Sequence, residues 1–552
     1  MSLQPQPLGA VPEETARVAR AAFPRGNLYI RMRDEFGPIF TDPAFATLFA
    51  ARGRPAEAPW RLALVTLMPY AEGLSDRQAA QAVRSRIDWK YALGLELTDP
   101  GFDSTVLSEF RTRLMAGQAE GQLLEALLER GRERRWLRAR GRQRTDSTHV
   151  LGAIRALNRV ACVAEAMRQA LHRLAVVAPE WLQAHSRAEW LERYGRRAEA
   201  DRWPTSEPQR QASVHAVGLD GYALLDAIDA EGAPAWLRDV PAVKALRYIW
   251  MQQYYRGLEG VRWRTATEGI PPSTRMISSP HDLEARYAKQ YTTSWIGDKV
   301  HLTESCEANK PRLITHVETT AGPIADGTVT PVIHEALRAK QLLPRLHIVD
   351  TGYLAAELLV TTPRDYGVEL LGPTRPDDHW QARASQGFDV SRVVIDWAQR
   401  QAVCPMRQRS SSWSPVLDGR RNAVIKIKFP QRACQACPSR LEWTRATRRT
   451  ITVRPHAPSL SLQAARGREQ THSYRAEYAK RAGIEGTLSQ AVRACGVRRA
   501  RYIGMVKTHL QHVLTAAAIN FIRIGRWLAG ERPAQTRLPP FVALMKHTIA
   551  VA

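Results

Sequence analysis

Apolar residues recur at helical spacing through the first quarter of the chain. Ser75-Asp-Arg-Gln78 has the form of a capping box, in which the serine side chain takes a backbone N–H of the first turn and the glutamine reaches back. It predicts a helix that places Ala79, Val83 and Ile87 on one face. Asp103-Ser104 precedes a second helix with Leu107, Phe110 and Leu114 in phase, and Leu123, Leu124, Leu127 and Leu128 continue a third. Residues 1–25, punctuated by Pro and Gly, predict a loosely held arm.

From Arg144 the pattern changes to strands. Asp146 heads a Thr-rich, β-prone run, Lys299-Val-His-Leu and Leu313-Ile-Thr-His-Val read as two further strands, and Leu346-His-Ile-Val349 is a short apolar run of the buried parallel type. Between the last two, Thr330 to Leu343 predicts a helix with Val332, Ile333, Ala336 and Leu337 inward. The order is therefore strand, strand, strand, helix, strand. Two segments interrupt it: residues 155–270, rich in Ala, Leu, Arg and Trp, read as helices, and residues 376–450 read as polar strands carrying Cys404, Cys434 and Cys437. Beyond them Leu510, Val513, Leu514, Ala517, Ala518, Phe521 and Ile522 mark an apolar helix that packs on the sheet.

Composition adds a partner. The 552 residues are 44% apolar, enough for at least one large core and two or more domains. Lys and Arg number 79 against 54 Asp and Glu, a net charge of +25 that points to a phosphate polyanion. Eight arginines lie between Arg130 and Arg144, and residues 431–510 hold 16 Lys/Arg against 4 Asp/Glu. Short helices among such charge suit DNA contact, although basic amphipathic helices are also ordinary solvated surface. The opening Met-Ser-Leu-Gln-Pro-Gln-Pro lacks a signal-peptide pattern, no apolar run reaches the roughly 20 residues that span a bilayer, and six cysteines make no disulfide framework. These features exclude a membrane protein and predict a cytoplasmic one.

The chemistry resides in three acids: Asp146 in Arg-Thr-Asp-Ser-Thr-His, Asp350 at the end of Leu-His-Ile-Val-Asp, and Glu485 in Ala-Gly-Ile-Glu-Gly-Thr. Mg²⁺ (or Mn²⁺) prefers hard oxygen ligands, and a two-metal site draws carboxylates from separate segments to clamp both oxygens of a phosphodiester. Asp350 at a strand end sits where open α/β sheets place their ligands. Tyr478, Arg481 and Glu485 are spaced three and four apart, on one face of a helix, where Tyr and Arg would hold a DNA phosphate beside the metal-bound Glu. The bland alternative is a surface ion pair. Lys299 is a further candidate for phosphate, or an exposed strand lysine, and Asp396-Trp397 offers base stacking or a packed Trp.

Together these residues resemble the DDE transposases of bacterial insertion sequences, in the branch with a Tyr-x-x-Arg-x-x-x-Glu signature. The resemblance covers most of the chain. It includes Gly-Leu-Ser75-Asp-Arg-Gln, Phe102-Asp-Ser-Thr through Phe110-Arg111, Ser279-Pro-His-Asp-Leu-Glu-Ala-Arg286 leading to Gly297-Asp-Lys-Val-His301, Val349-Asp350-Thr-Gly-Tyr, Ile484-Glu485-Gly-Thr, and Lys507-Thr-His-Leu-Gln-His through Ala518-Ile-Asn-Phe. Order and spacing are specific, with Asp350 204 residues after Asp146 and Glu485 135 after Asp350. The resemblance implies an α/β fold: an RNase H-like mixed sheet with flanking helices and two insertions (residues 136–552), preceded by a helical N-terminal DNA-binding domain (residues 26–135). It implies Mg²⁺-dependent hydrolysis at the transposon end, followed by attack of the freed 3′-hydroxyl on target DNA. Catalysis and metal binding fall to Asp146, Asp350 and Glu485. The implied partner is double-stranded DNA, both terminal repeats and target, bound by a homo-oligomer in a nucleoid-associated bacterial protein.

Two departures matter. The signature continues with Lys seven residues after the Glu, where this chain has Val492, and the adjacent Arg493 is the substitute phosphate ligand. Cys404 with Cys434-Gln-Ala-Cys437 suggests a Zn²⁺ ribbon, yet the position where relatives carry another Cys is Trp443. Two rivals remain: a relative that binds ends without cutting them, and a structure-specific nuclease on the same fold.

Overall fold

The computed structural model describes the chain apart from residues 1, 4–8, 198–205, 259, 266, 377–387, 420, 533–540 and 542–552. Its first part is helical, running through Glu13–Ala22, Leu28–Phe36, Pro59–Glu72, Asp76–Ser85, Ile87–Leu93, Thr105–Ala116 and Gln122–Glu133. Ser75 caps its helix with both halves of the capping box in place, and Ala79 and Val83 are buried as the periodicity required. Ile87 instead opens the next helix. The arm expected over residues 1–25 is ordered in part. The Glu13–Ala22 helix buries Ala19, and the Thr15 hydroxyl donates to the Leu95 carbonyl, so residues in phase within a Pro- and Gly-flanked segment sufficed for a packed helix.

These helices share one apolar core with the sheet that follows. Tyr29 meets Phe521 of the Met505–Leu528 helix at 5.9 Å between ring centroids, and Leu64, Leu127, Val300, Ile333 and Leu514 belong to the same buried cluster. The core is thus continuous across residues 135 and 136. The Met505–Leu528 helix is buried nearly all round, because helices pack on one flank and the sheet on another.

β1 (Arg142–Leu151) leads into a helical segment with its own core, built on Arg159–Val177, Glu207–Asp229 and Pro241–Gln253 and closed by the hairpin of β2 (Tyr254–Gly257) and β3 (Gly260–Trp263). The chain then returns through β4 (Arg286–Gln290), β5 (Thr293–Ser305), β6 (Ile314–Ala321), the Asp326–Ala339 helix, β7 (Leu346–Ile348) and β8 (Glu369–Leu371). With β1 these strands form a mixed sheet of six strands among the described residues. β5 runs antiparallel to β1 on one side and to β4 and β6 on the other, while β7 and β8 lie parallel on the far side of β1. In the Asp326–Ala339 helix the inward face is Val329, Thr330, Ile333, His334 and Leu337. Val332, expected inward, is 50% exposed, because His334 takes the buried position in a hydrogen bond to His347 of β7.

A second small core holds residues 388–453, with β9 (Val394–Asp396) paired to β10 (Gln401–Val403), and β11 (Ser412–Leu417), β12 (Ala423–Lys428) and β13 (Thr450–Val453) forming a three-stranded sheet. Trp397 is packed there, stacked on His456 and edge-on to Trp413. Among the described residues no helix is long and apolar enough to cross a membrane.

Candidate active site

Asp146 sits in the middle of β1, opposite Leu302 of β5. Asp350 lies two residues beyond β7, which pairs in parallel with the first residues of β1, so the acids lie on and just past adjacent strands. Its Oδ1 accepts the backbone N–H groups of Gly352 at 2.8 Å and Tyr353 at 3.3 Å, which fixes the turn after the strand. Tyr353, wholly buried, ties the turn to its neighbours: its hydroxyl bonds to His301 Nδ1 of β5 at 2.5 Å and to Ser147, the residue after Asp146.

Glu485 reaches the sheet on the Ala482–Cys495 helix. The expected single helix face for Tyr478, Arg481 and Glu485 is interrupted: the His472–Tyr478 helix passes through a 3-10 turn at Ala479–Arg481 before the next helix starts. The cause lies on β1. Arg144 donates from Nη1 to the Lys480 carbonyl, which removes an acceptor from the regular α-helical ladder, and its guanidinium presses on Gly483, where a Cβ would collide with it.

Arg144 is itself held by a buried network. Its Nε and Nη2 donate to Glu304 Oε1 of β5 at 2.7 and 2.5 Å, while Glu304 Oε2 accepts from Arg523 Nη1 at 2.8 Å and from the Thr487 hydroxyl at 2.6 Å. Burial works to raise the Glu304 carboxyl, but Arg523, Arg144 and Thr487 outweigh it and hold it below the ordinary carboxylate range. This network joins β1, β5, the Glu485 helix and the Met505–Leu528 helix. Its residues escaped the sequence reading, because nothing local marks Glu304 as buried or names partners so distant in sequence.

Arg481 stands between two of the three acids. Its Nη2 donates to Asp146 Oδ2 and its Nη1 to Glu485 Oε1, each at 2.8 Å. Asp146 and Arg481 are 13% and 15% exposed at their side chains, Glu485 62%. Burial pushes the Asp146 carboxyl up to about 6 against the pull of Arg481 and the Ser147 N–H, with Asp350 and Glu485 adding to the rise. Tyr478 is half-buried over Cys306, Leu346, Ile348 and Leu371, and its hydroxyl is raised by burial, with all three acids contributing. The three acids, Tyr478 and Arg481 are therefore near neighbours. Among the described residues, however, no three His, Cys, Asp or Glu side chains are gathered tightly enough to hold one metal ion together. Arg481, hydrogen-bonded to two of the acids, spaces them.

The remaining candidates fall elsewhere. Lys299 is buried, its ammonium given to Asp326 at 2.5 Å and to the Ile324 carbonyl, so it offers no charge to a DNA phosphate. Arg493 is exposed in the last turn of the Glu485 helix, and Val492 beside it packs on the core. The arginine cluster is largely structural: Arg130, Arg132, Arg134, Arg142 and Arg144 pair with Glu133, Glu129, Glu35, Glu307 and Glu304, and Arg140 caps the carbonyls of Tyr366 and Gly367. Cys404, Cys434 and Cys437 line one small cavity with Phe429 and Trp443. Three cysteines alone do not complete a tetrahedral zinc site. Among the described residues it lacks a fourth ligand, and Trp443, buried against Phe388 and Phe429 under the Arg449 guanidinium, makes that wall apolar.

Comparison with known families locates matches on both sides of this site. Residues 17–113 match a family described as Transposase domain (DUF772), and residues 403–525, which include Tyr478, Arg481 and Glu485, match one described as Transposase DDE domain. Neither span contains Asp146 or Asp350. No curated protein matches the chain. The two transposase families matched on either side of the central strands support a DDE transposase of insertion-sequence type.

Proposed function

We propose that this protein binds insertion-sequence ends and carries out DNA strand cleavage and strand transfer with a divalent metal, Mg²⁺ or Mn²⁺, held by Asp146, Asp350 and Glu485. The observation that carries the reading is Arg481, which bridges Asp146 and Glu485 beside the strand end that bears Asp350. The strand order β6, β5, β1, β7, β8, with the first three antiparallel and the last two parallel to β1, supports an RNase H-like core, and the helices before β1 are the candidate end-binding part.

The donor types suit a hard cation, although Arg481 spaces the three side chains in this structure. All three side chains are carboxylates, the second oxygen of Asp350 is left over when Oδ1 takes two backbone N–H groups, and Glu485 has an oxygen beyond the one given to Arg481. When bound, the metal supplies charge neutralisation at the scissile phosphate and activation of the attacking oxygen. The chain's own groups do the rest. Asp350 is oriented by its turn, Glu485 by the Arg144–Glu304 network, and Arg481 and Tyr478 orient the phosphate, the guanidinium by its fork geometry. Arg493, exposed on the same helix, adds a backbone contact.

A supercoiled plasmid carrying the element ends, with excision and integration scored separately, tests this reading against its rivals. Excision and integration that both require Mg²⁺ or Mn²⁺ are expected. End binding with no cleavage in either metal would make the protein a non-catalytic binder, and cleavage without joining would make it a nuclease.

A further inference from the structure

The motif Ser279-Pro-His-Asp-Leu-Glu-Ala-Arg286 lies apart from the acids, and its side chains build a junction. Asp282 Oδ1 accepts the N–H groups of Glu284 and Ala285, its Oδ2 accepts that of Gly504, and Glu284 Oε2 accepts that of Met505 at 2.7 Å. The start of the Met505–Leu528 helix is thereby fixed to the segment before β4. His281 Nε2 bonds at 2.8 Å to Glu165 Oε1 on the Arg159–Val177 helix, which ties in the helical insertion as well.

Two adjoining cavities open at this junction, of about 230 and 340 Å³, and Arg168 and His281 line both. Ile154, Leu157 and Ile503 contribute apolar wall to the first, and His172 and Arg173 line the second. Among the described residues, Arg168, Arg173, His172 and His281 line the two cavities around one acid, Glu165. That acid is buried and committed: Glu165 is 4% exposed, and it takes Arg168 Nε at 2.8 Å and Nη2 at 2.6 Å. A buried carboxylate gripping one edge of the guanidinium holds Arg168 rigid and leaves Nη1 for an incoming anion.

We propose that this groove is a second DNA contact, taking phosphodiester groups of duplex DNA beyond the cleavage point. The inference rests on the proposed function for its choice of anion, and the net charge of +25 agrees with a long polyanion rather than a small one. Position agrees too. β1 runs continuously from Asp146 toward the groove, and the nine residues from Asp146 to Arg155 span at most about 30 Å at roughly 3.3 Å each, which is under about ten base pairs of duplex.

The test measures affinity of the full chain, across salt concentrations, for duplexes trimmed base pair by base pair on either side of the cleavage point. The variants are His172→Gln/Arg173→Gln, which changes exposed side chains only, and Arg168→Gln. The wild type is expected to lose affinity when one side is trimmed to fewer than about ten base pairs, and the double variant to bind the long duplex about tenfold more weakly. The variant's log–log salt slope should be shallower by about 0.9 for each phosphate it no longer neutralises, with binding of the trimmed duplex unchanged. A double variant with wild-type salt slope and wild-type length dependence overturns the groove, as does a loss equal at every length. A wild type that binds no duplex overturns the proposed function itself, and this inference with it.

Discussion

Arg481 carries a double charge duty. Asp146 is buried enough that an unpaired carboxylate there would be costly, and the guanidinium bridging it to Glu485 supplies the counter-charge when no other cation does. Arg481→Lys keeps that charge but loses the fork. Strand cleavage is expected to slow by about tenfold or more, at the scale of a poorly oriented partner of a metal site, while overall DNA affinity changes less than twofold because many other basic groups supply it. Single-turnover cleavage and gel-shift binding on the same preparation check this. Unaltered cleavage would leave Arg481 only a structural partner of the two acids.

The acids and the Tyr-x-x-Arg-x-x-x-Glu spacing stand out in the sequence because each lies in a local pattern, and the structure brings them near one another. Lys299 was not legible as a buried partner of Asp326, since the alternation of a strand does not say which face meets a neighbouring helix. For a related reason the density of arginines from 130 to 144 did not reveal their ion pairs: Glu35 and Glu307, which neutralise two of them, are distant in sequence.

At the level of elements, the helix that bears Glu485 depends on a glycine. Gly483 lets the Arg144 guanidinium lie against the backbone, and Arg144 is fixed by Glu304, so neither side has room to yield. Gly483→Ala is expected to destabilise the fold by about 1–3 kcal/mol, the usual cost of overpacking, despite alanine's better helix propensity. A thermal or urea melt decides it, and a stabilised variant would mean that the Arg144 contact is loose. The capping box and the periodic helices were readable from sequence, whereas the 3-10 turn at Ala479–Arg481 was not, because its cause is a side chain on β1.

Asp298 on β5 gives a pH dependence. Burial, with Asp282 and Glu284 nearby and Arg286 opposing, raises its carboxyl to about 7, and its Oδ1 has no hydrogen-bond partner among the described residues. Below the unfolded value, near 3.9, the acid is protonated in both states and costs nothing. Above it the unfolded chain ionises while the fold keeps its proton, so this group's contribution to stability falls as pH rises toward 7, by at most about 1.4 kcal/mol per unit, and then levels off. Asp298→Asn should melt higher than the wild type at pH 8 and equally at pH 4. Melting curves with the opposite order at pH 8 would show that the ionised carboxylate is stabilised.

For the whole molecule, one core unites the first helices, the sheet and the Met505–Leu528 helix, while the two interrupting segments keep cores of their own. The helical N-terminal part and the chain order of β1, β5, β6, the Asp326–Ala339 helix and β7 were foreseeable from periodicity, whereas β4 and the β2–β3 hairpin were not. Nor was the fusion of helices and sheet, since it depends on the apolar Met505–Leu528 helix meeting Tyr29, Leu64 and Leu127 from the other end of the chain. That fusion gives any DNA gripped by the early helices a rigid relation to Asp146, which suits a protein proposed to cut at a fixed distance from the sequence it binds. The most direct test compares wild type with Asp350→Asn on a labelled duplex containing an element end, with Mg²⁺ and with chelator. The expected result is end binding by both proteins, with metal-dependent strand cleavage by the wild type and cleavage at least about a hundredfold slower in the variant. Equal cleavage by the two proteins, or cleavage unaffected by chelator, would contradict a metal site built on these carboxylates.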